Sequence, residues 1–307
     1  MSNDIRIGID LGGSKIEAVA LDADGSELIR RRVPAPQGVY EETLRAIAAL
    51  VADIEVHLGK RAPVVGMGIP GTVSPTTGLV KNANSTWLIG HPFDRDLAAR
   101  LERPVRIEND ANCFAVSEAT DGAAKGAPVV FGAILGTGTG GGLVVHGRVL
   151  KGRNAIAGEW GHNPLPWPDD SERPGALCYC GLHGCIETFL SGPAFARDFQ
   201  AGDPSQRRMN PAEIVDLATA GDPHADAALG RYEGRLARAL ATIINVLDPD
   251  VIVLGGGMSN VGRLYETVPR LWGDWVFSDR VDTRLVANEH GDSSGVRGAA
   301  WLWPTKA

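Results

Sequence analysis

The chain has 307 residues, 44% hydrophobic and 22% charged, the ordinary mix of a soluble globular protein and enough length for two domains at roughly 150 residues each. That composition excludes a disordered chain, no apolar run reaches the roughly 18 residues of a membrane span, and Met1-Ser2-Asn3-Asp4 lacks the basic-then-apolar start of a secretory leader. A net charge of -7 argues against nucleic-acid binding, which needs Lys and Arg to neutralise phosphates, so the expectation is a soluble, cytoplasmic protein.

In chain order, Ile5 to Asp10 reads as a short buried strand, followed by the turn Leu11-Gly-Gly-Ser-Lys15 and a second apolar run, Ile16 to Leu21. Asp22-Ala-Asp-Gly25 is a hairpin signal leading into a strand from Glu27 to Val33. Apolar residues at Leu44, Ile47, Ala48, Val51 and Ile54 keep a helical period over 41 to 58. Strands are expected at Val64 to Ile69 and Val105 to Ile107, and a helix from Asp110 to Thr120. The opening pattern then recurs about 125 residues on: strand Val129 to Leu135, Gly-rich turn 136–142, strand Leu143 to Val145, the tight turn His146-Gly147, and Arg148 to Leu150. Residues 158 to 192 read as irregular. A long apolar stripe from Ala225 to Leu247 reads as a core helix, Val251 to Leu254 as a strand, and a last helix is expected near Ser294.

Glycine is in excess, 39 residues, and clusters in short turns between apolar runs, which points to backbone that must come close to something. Three such turns, Gly12-Gly13, Gly136 to Gly142 and Gly255 to Gly257, each follow a strand. Successive N–H groups in turns of this kind make anion-binding nests, so together they read as a phosphate site, although any one alone could be a plain hairpin. Lys15 could add a positive charge or simply be solvated. No Walker loop is present. Gly66-Met-Gly-Ile-Pro-Gly71 fits the dinucleotide pattern by accident, since Pro70 sits inside it and no helix signal follows. Phosphate turns that lead from strand to strand are the arrangement of actin-like ATPases and sugar kinases.

His162, Cys178, Cys180 and Cys185 lie within 24 residues, and thiolate with imidazole is the donor set zinc prefers in a closed structural site. His183 is the rival fourth ligand, but as a loop-tip residue it is the weaker choice. Cys113 lies apart on a helix and reads as a small buried hydrophobe.

Asp10-Leu-Gly-Gly-Ser-Lys15, Glu108-Asn-Asp-Ala-Asn112, Gly136-Thr-Gly-Thr-Gly140, Gly158-Glu-Trp-Gly-His162 and Cys178-Tyr-Cys-Gly-Leu-His-Gly-Cys-Ile-Glu187 resemble the motifs of the ROK family of sugar kinases, in family order from residue 5 to about 303. Ser14 stands where that family usually has Thr and keeps the hydroxyl. Lys81-Asn-Ala-Asn-Ser-Thr-Trp87, Gly158-Glu-Trp-Gly-His-Asn-Pro-Leu-Pro-Trp167 and Val251-Ile-Val-Leu-Gly-Gly-Gly-Met-Ser259 make the chain look most like bacterial fructokinases of the manno(fructo)kinase type.

The resemblance implies an α/β, actin-like ATPase (ribonuclease H-like) fold: two duplicated domains with a cleft between them and a zinc-binding loop. The first would take residues 1–115, completed by a C-terminal helix near 294–307. The second would take 116–293, with the zinc segment at 158–192. The implied reaction is D-fructose plus ATP giving D-fructose 6-phosphate (EC 2.7.1.4), with mannose as a further acceptor. Glucose, N-acetylglucosamine and N-acetylmannosamine kinases are the alternatives, and a sugar-responsive regulator stands further off because no DNA-binding segment precedes Ile5. Asp110 is the implied general base, though a carboxylate there could equally cap the helix. Asn84, Asn109, Asp110, Glu159, His162 and Glu187 would contact the sugar, His162 with one ring nitrogen on zinc and the other toward a sugar hydroxyl. Glu159 and Glu187 could otherwise be surface charges. Gly12, Gly13, Ser14, Lys15, Gly136, Thr137, Gly138, Thr139 and Gly140 would cradle the ATP phosphates, and Gly255, Gly256, Gly257 and Met258 would line the adenosine side. Mg²⁺ would accompany ATP, and zinc would be structural on His162, Cys178, Cys180 and Cys185. A homodimer is implied, with Trp301-Leu-Trp303 as core or interface.

Overall fold

A computed structural model describes residues 5–303; Met1–Asp4, on which the reading of an absent leader rests, and residues 304–307 lie outside it. Strands β1 (Arg6–Leu11), β2 (Lys15–Leu21) and β3 (Glu27–Pro34) lead to helix α1 (Tyr40–Leu58). Next come β4 (Val65–Ile69), the short ribbon β5 (Thr72–Val73) and β6 (Val80–Lys81), helix α2 (Phe93–Leu101), β7 (Val105–Asn109) and α3 (Asp110–Thr120). The pattern restarts with β8 (Val129–Leu135), β9 (Thr139–Val145) and β10 (Arg148–Val149). Helices α4 (Glu187–Leu190), α5 (Gly192–Gly202), α6 (Pro211–Thr219) and α7 (Pro223–Leu247) follow, then β11 (Val251–Gly255), α8 (Leu264–Leu271), β12 (Arg284–Ala287) and α9 (Ser294–Trp301).

The repeat seen in the sequence is a repeat of sheets. One five-stranded sheet runs in the order β3-β2-β1-β4-β7 and the other β10-β9-β8-β11-β12. In the first, β1 pairs antiparallel with β2 and parallel with β4, and β4 pairs parallel with β7. In the second, β9 and β10 are antiparallel, while β11 lies parallel to both β8 and β12. Central strands covered on both faces have no polar alternation to show, which is why β4 and β11 are buried at every position.

The chain forms two compact units: Met1–Gly126, Gly142–Ala157 and Asp292–Ala307 in one, Ala127–Gly141 and Gly158–Gly291 in the other. Helix α3, which a division at 115/116 would cut, stays whole in the first. So does the C-terminal helix expected near 294–307, seen as Ser294–Trp301. Among the described residues no helix is long and apolar enough to cross a membrane.

The core of the first unit explains part of the glycine excess in a way the sequence reading did not. Helix α9 lies so close to β4 that a Cβ on Gly66 would fall 1.7 Å from the Ala299 carbonyl oxygen, and so close to α3 that a Cβ on Gly298 would fall equally near that of Cys113. These glycines serve helix packing and not a ligand. In Gly66-x-Gly68-x-x-Gly71 only Gly66 packs on α9; Gly68 faces Cys113 and Asp10, Gly71 lies at φ +143° against Ala83, and the segment runs from β4 into β5 with no helix. Trp301 and Trp303 are half-buried in this unit: Trp301 Nε1 donates to Asp121 Oδ2 at 3.0 Å and Trp303 Nε1 to the Val65 carbonyl at 2.9 Å.

Helix starts in the second unit are built from side-chain caps. Ser191 accepts from the Ala194 N–H with Pro193 in the first turn, Asn210 and Glu213 form a capping box, and Asp222 caps α7 ahead of Pro223. The stripe on α7 is core as expected, with Ala225, Ala228, Leu229, Tyr232, Leu236 and Leu240 buried.

Candidate active site

In the first unit, Asp110 opens α3 directly after β7 and is exposed. The half-buried Asn109 is the N-cap, its Oδ1 accepting the Ala111 N–H at 2.9 Å; Asp110 Oδ1 accepts the same N–H at 2.8 Å. Behind them Glu108 is buried, ion-paired with Lys151, and accepts from Asn112 Nδ2 at 3.3 Å. Cys113 is fully buried on the same helix, as expected of a small hydrophobe.

Asp10 was not singled out as a site residue, yet it is the most perturbed carboxylate in this unit. Loss of water raises its pKa to about 6, and the charges of Asp110 and Glu17 push the same way against Lys15 and Arg32. It sits on β1 opposite Gly68 of β4, where an added Cβ would stand 3.6 Å from its Oδ1. The turn that follows is closed by the Gly12 N–H donating to the Lys15 carbonyl at 2.9 Å. A Cβ on Gly13 would meet nothing within 4 Å, so this backbone faces open space. Ser14 is exposed at the turn, its carbonyl accepting from the Ala35 N–H. Lys15 Nζ lies 4.0 Å from Glu17 Oε2, a carboxylate that Arg30 and Arg32 already hold at 2.5 Å each. Asn84 is exposed in the loop after β6, its N–H bonded to the Pro70 carbonyl.

In the second unit the structure brings most of the expected residues together. The Gly-rich turn is shorter than expected, 136–138, because Thr139 already starts β9. It closes with the Gly136 N–H on the Gly138 carbonyl at 2.9 Å. Gly256, at φ +79°, packs so tightly on the end of β8 that a Cβ would lie 2.6 Å from the Leu135 carbonyl carbon, which sets the turns 136–138 and 255–257 side by side. A cavity of about 700 Å³ opens beside them, within the range of small-molecule sites. Gly136, Thr137, Gly257 and Met258 line it, as do Gly192, Pro193, Asn210, Pro211, Val215, Asp216, Asn260 and Val261, none of which had been proposed.

The segment from 158 is packed on the same hairpin. Trp160 Nε1 donates to the Gly140 carbonyl at 2.7 Å, and a Cβ on Gly161 would fall 1.9 Å from the Thr139 carbonyl oxygen. Glu187 is half-buried and its Oε2 accepts the Thr139 N–H at 2.9 Å; Glu159 is exposed.

The donor atoms of His162, Cys178, Cys180 and Cys185 all lie within 4.8 Å of one another. Cys178 Sγ is 3.5 Å from His162 Nδ1, and Cys180 Sγ is 3.6 Å from Cys185 Sγ. A tetrahedral zinc with Zn–S near 2.3 Å and Zn–N near 2.05 Å sets such edges at about 3.6 Å for S···N and about 3.8 Å for S···S, so the donor set fits that ion. Burial and the two neighbouring sulfurs push the Cys185 thiol up to about 12, a cost that a shared cation would remove. His183 stands outside the group, with Nδ1 3.2 Å from the Gly175 carbonyl. The second ring nitrogen of His162, expected to face a sugar hydroxyl, is 2.8 Å from the exposed Tyr179 Oη, a residue the sequence reading passed over between two cysteines.

A model of the ROK family matches residues 6–306. The chain belongs to the ROK family. Its fold is the actin-like ATPase fold of the sugar kinases, built on mixed α/β sheets. An N-acetyl-D-glucosamine kinase of Yersinia pseudotuberculosis is 38% identical over 299 residues, covering 96% of this chain and 97% of that one. Among solved structures, a ROK hexokinase from Thermus thermophilus superposes with a TM-score of 0.85 at 32% identity, over 97% of each chain. A ROK family glucokinase from Streptomyces griseus, solved with glucose and AMPPNP, matches at 0.77 and 30% identity over 97% of this chain and 98% of that one.

Proposed function

We propose that this ROK protein is an ATP-dependent sugar kinase whose acceptor is N-acetyl-D-glucosamine. The observation that carries the acceptor is the 38% identity to an N-acetyl-D-glucosamine kinase along 97% of that protein's length. It outweighs the short motifs that suggested fructose. Fructose remains the second reading on the strength of those motifs, chiefly Lys81 to Trp87 and Gly158 to Trp167.

Asp110 is the base. An exposed carboxylate at the end of β7, with Asn109 taking the capping role beside it, can accept the proton of a sugar hydroxyl as that oxygen bonds to the γ-phosphorus. The bond to the bridging oxygen breaks and ADP leaves with the electron pair. In the first unit Asn109 and Asn84 are groups for sugar hydroxyls and the turn 12–15 for phosphate. In the second, Glu159 and Glu187 serve sugar hydroxyls, the turn 136–140 phosphate, and the cavity beside 255–258 takes the adenosine, with Val215, Val261 and Pro211 as its apolar wall.

Zinc on His162, Cys178, Cys180 and Cys185 would supply a rigid cross-link that fixes the loop carrying Tyr179 and leads into Glu187. His162, ligating through Nδ1, would then carry its proton on Nε2 and donate it to Tyr179 Oη. Mg²⁺ would supply charge neutralisation for the nucleotide phosphates. Asp10 fits that ion, because the repulsion it shares with Asp110 is what a divalent cation relieves.

The test is ADP release with Mg·ATP and N-acetylglucosamine, fructose, mannose, glucose or N-acetylmannosamine as acceptor. N-acetylglucosamine should lead by at least tenfold in kcat/KM. If fructose leads, the second reading takes its place; if no sugar reacts with folded, zinc-loaded protein, the kinase reading fails.

A further inference from the structure

Glu187 joins two parts of the second unit that are far apart in sequence. It lies two residues beyond Cys185 and opens α4, and its Oε2 accepts the N–H of Thr139, 48 residues earlier, at 2.9 Å. The carboxylate stands so near the hairpin apex that a Cβ on Gly138 would lie 2.6 Å from the same oxygen. Gly-rich turns with convergent N–H groups attract anions, and here the anion on the turn is the chain's own side chain. Residues 136–140 contain no Lys or Arg to offset that charge. The Thr139 hydroxyl beside it is buried and has no hydrogen-bond partner among the described residues, so the turn has polar capacity left unused.

A phosphate oxygen approaching this turn meets a donor already taken and a like charge. A sugar hydroxyl, by contrast, is a donor that a carboxylate accepts. We propose that Glu187 is a positioning residue that couples the sugar to the nucleotide: without sugar it occupies the Thr139 amide, and when a sugar hydroxyl draws it away the amide is released to the terminal phosphate. This inference rests on the kinase reading above. Because coupling between two ligands is reciprocal, nucleotide and sugar must tighten each other's binding by the same factor. The device also disfavours ATP held without an acceptor, the state in which water would be phosphorylated.

The experiment is calorimetric titration of Mg·AMPPNP into the full-length, zinc-loaded protein, with and without N-acetylglucosamine, for wild type, Glu187→Ala and Glu187→Gln. Sugar should tighten AMPPNP about tenfold in wild type, about 1.4 kcal/mol. Without sugar, Glu187→Ala should bind AMPPNP about tenfold tighter than wild type. Glu187→Gln, which removes the charge but keeps an acceptor for the amide, should fall between them. Glu187→Ala binding no tighter than sugar-free wild type, with zinc content and melting temperature unchanged, overturns the proposal. Should that variant lose its zinc, the Thr139 amide resonance of wild type decides: it should move when sugar is added, and an unmoved resonance overturns the proposal. If AMPPNP tightens in Glu187→Ala while N-acetylglucosamine has no effect on wild type, the titration is repeated with fructose, mannose, glucose and N-acetylmannosamine: tightening by one of them moves the acceptor assignment and keeps the role of Glu187, and tightening by none overturns the proposal. If no form binds AMPPNP, both fall.

Discussion

The turns after β1 and β8 share a backbone pattern and differ in where their charge comes from. After β1 the charged groups are local: Asp10 is on the strand, Lys15 begins the next one, and the backbone at Gly13 faces open space. After β8 the strand ends on buried, apolar Leu135, the turn has no ionisable side chain, and the carboxylate on its amide arrives from α4. A duplicated strand-turn-strand fixes where a chain exposes its amides. It does not fix what those amides meet, which is set by whatever else packs there.

The largest effect that could break this comparison concerns Asp110, whose carboxylate shares the field of Asp10. Asp110→Asn should lower kcat by about 10³-fold with the melting temperature little changed, because Asn109 still caps α3 and general-base catalysis contributes roughly that factor. Steady-state kinetics beside a thermal melt checks it. A loss under tenfold would move the base elsewhere.

The second unit's dependence on distant groups predicts sensitivity at its His/Cys cluster. Cys180 is exposed, and an exposed cysteine with no partner could be replaced at a cost of roughly 0.5 kcal/mol or less. If it ligates zinc, Cys180→Ser should lose the metal, measured by elemental analysis, and lower the melting temperature by about 10 °C, several kcal/mol for a unit of this size.

Glycine substitutions sharpen the comparison further. Gly66→Ala forces a Cβ onto the Ala299 carbonyl and should cost about 3 kcal/mol in denaturant unfolding. Gly13→Ala, with open space around it, should change stability by roughly 0.5 kcal/mol at most while raising the KM for ATP severalfold. Equal stability losses at the two positions would contradict the assignment of one glycine to packing and the other to a ligand.

The smallest effect is electrostatic. Asp10 titrates near 6 in the folded protein against about 3.9 in an unfolded chain, so the folded state binds more protons between those values and stability falls as pH rises through that window. Asp10→Asn should therefore stabilise the Mg²⁺-free protein by on the order of 2 kcal/mol at pH 7.5 and by almost nothing near pH 4. Unfolding curves at both pH values measure it, and added Mg²⁺ should shrink the difference.

What could be read from the sequence follows the same division. The β1–β2–β3 hairpins, the repeat at β8–β9–β10 and the His162–Cys185 cluster depend on neighbours within a few dozen residues, so spacing and residue type were enough. Asp10 was quoted within its motif but given no role, because what perturbs it is burial by the packed fold and, after that, the charge of Asp110, a hundred residues on. The cavity wall from Asn210 to Asp216 was missed for the same reason: Asn210-Pro-Ala-Glu213 signals a helix start, and nothing local says that the helix borders turns at 136 and 257. Glycine misled in the other direction. The glycine excess was read as backbone that approaches a ligand, whereas Gly66 and Gly298 are spent on packing α9 against β4 and α3.

The most direct test of the central claim is a one-pot competition: equal concentrations of N-acetylglucosamine and fructose with limiting Mg·ATP, and the two sugar phosphates quantified by mass spectrometry. The account predicts at least ten parts of phosphorylated N-acetylglucosamine to one of fructose phosphate, a discrimination of about 1.4 kcal/mol in the transition state. A product pool dominated by fructose phosphate would contradict it.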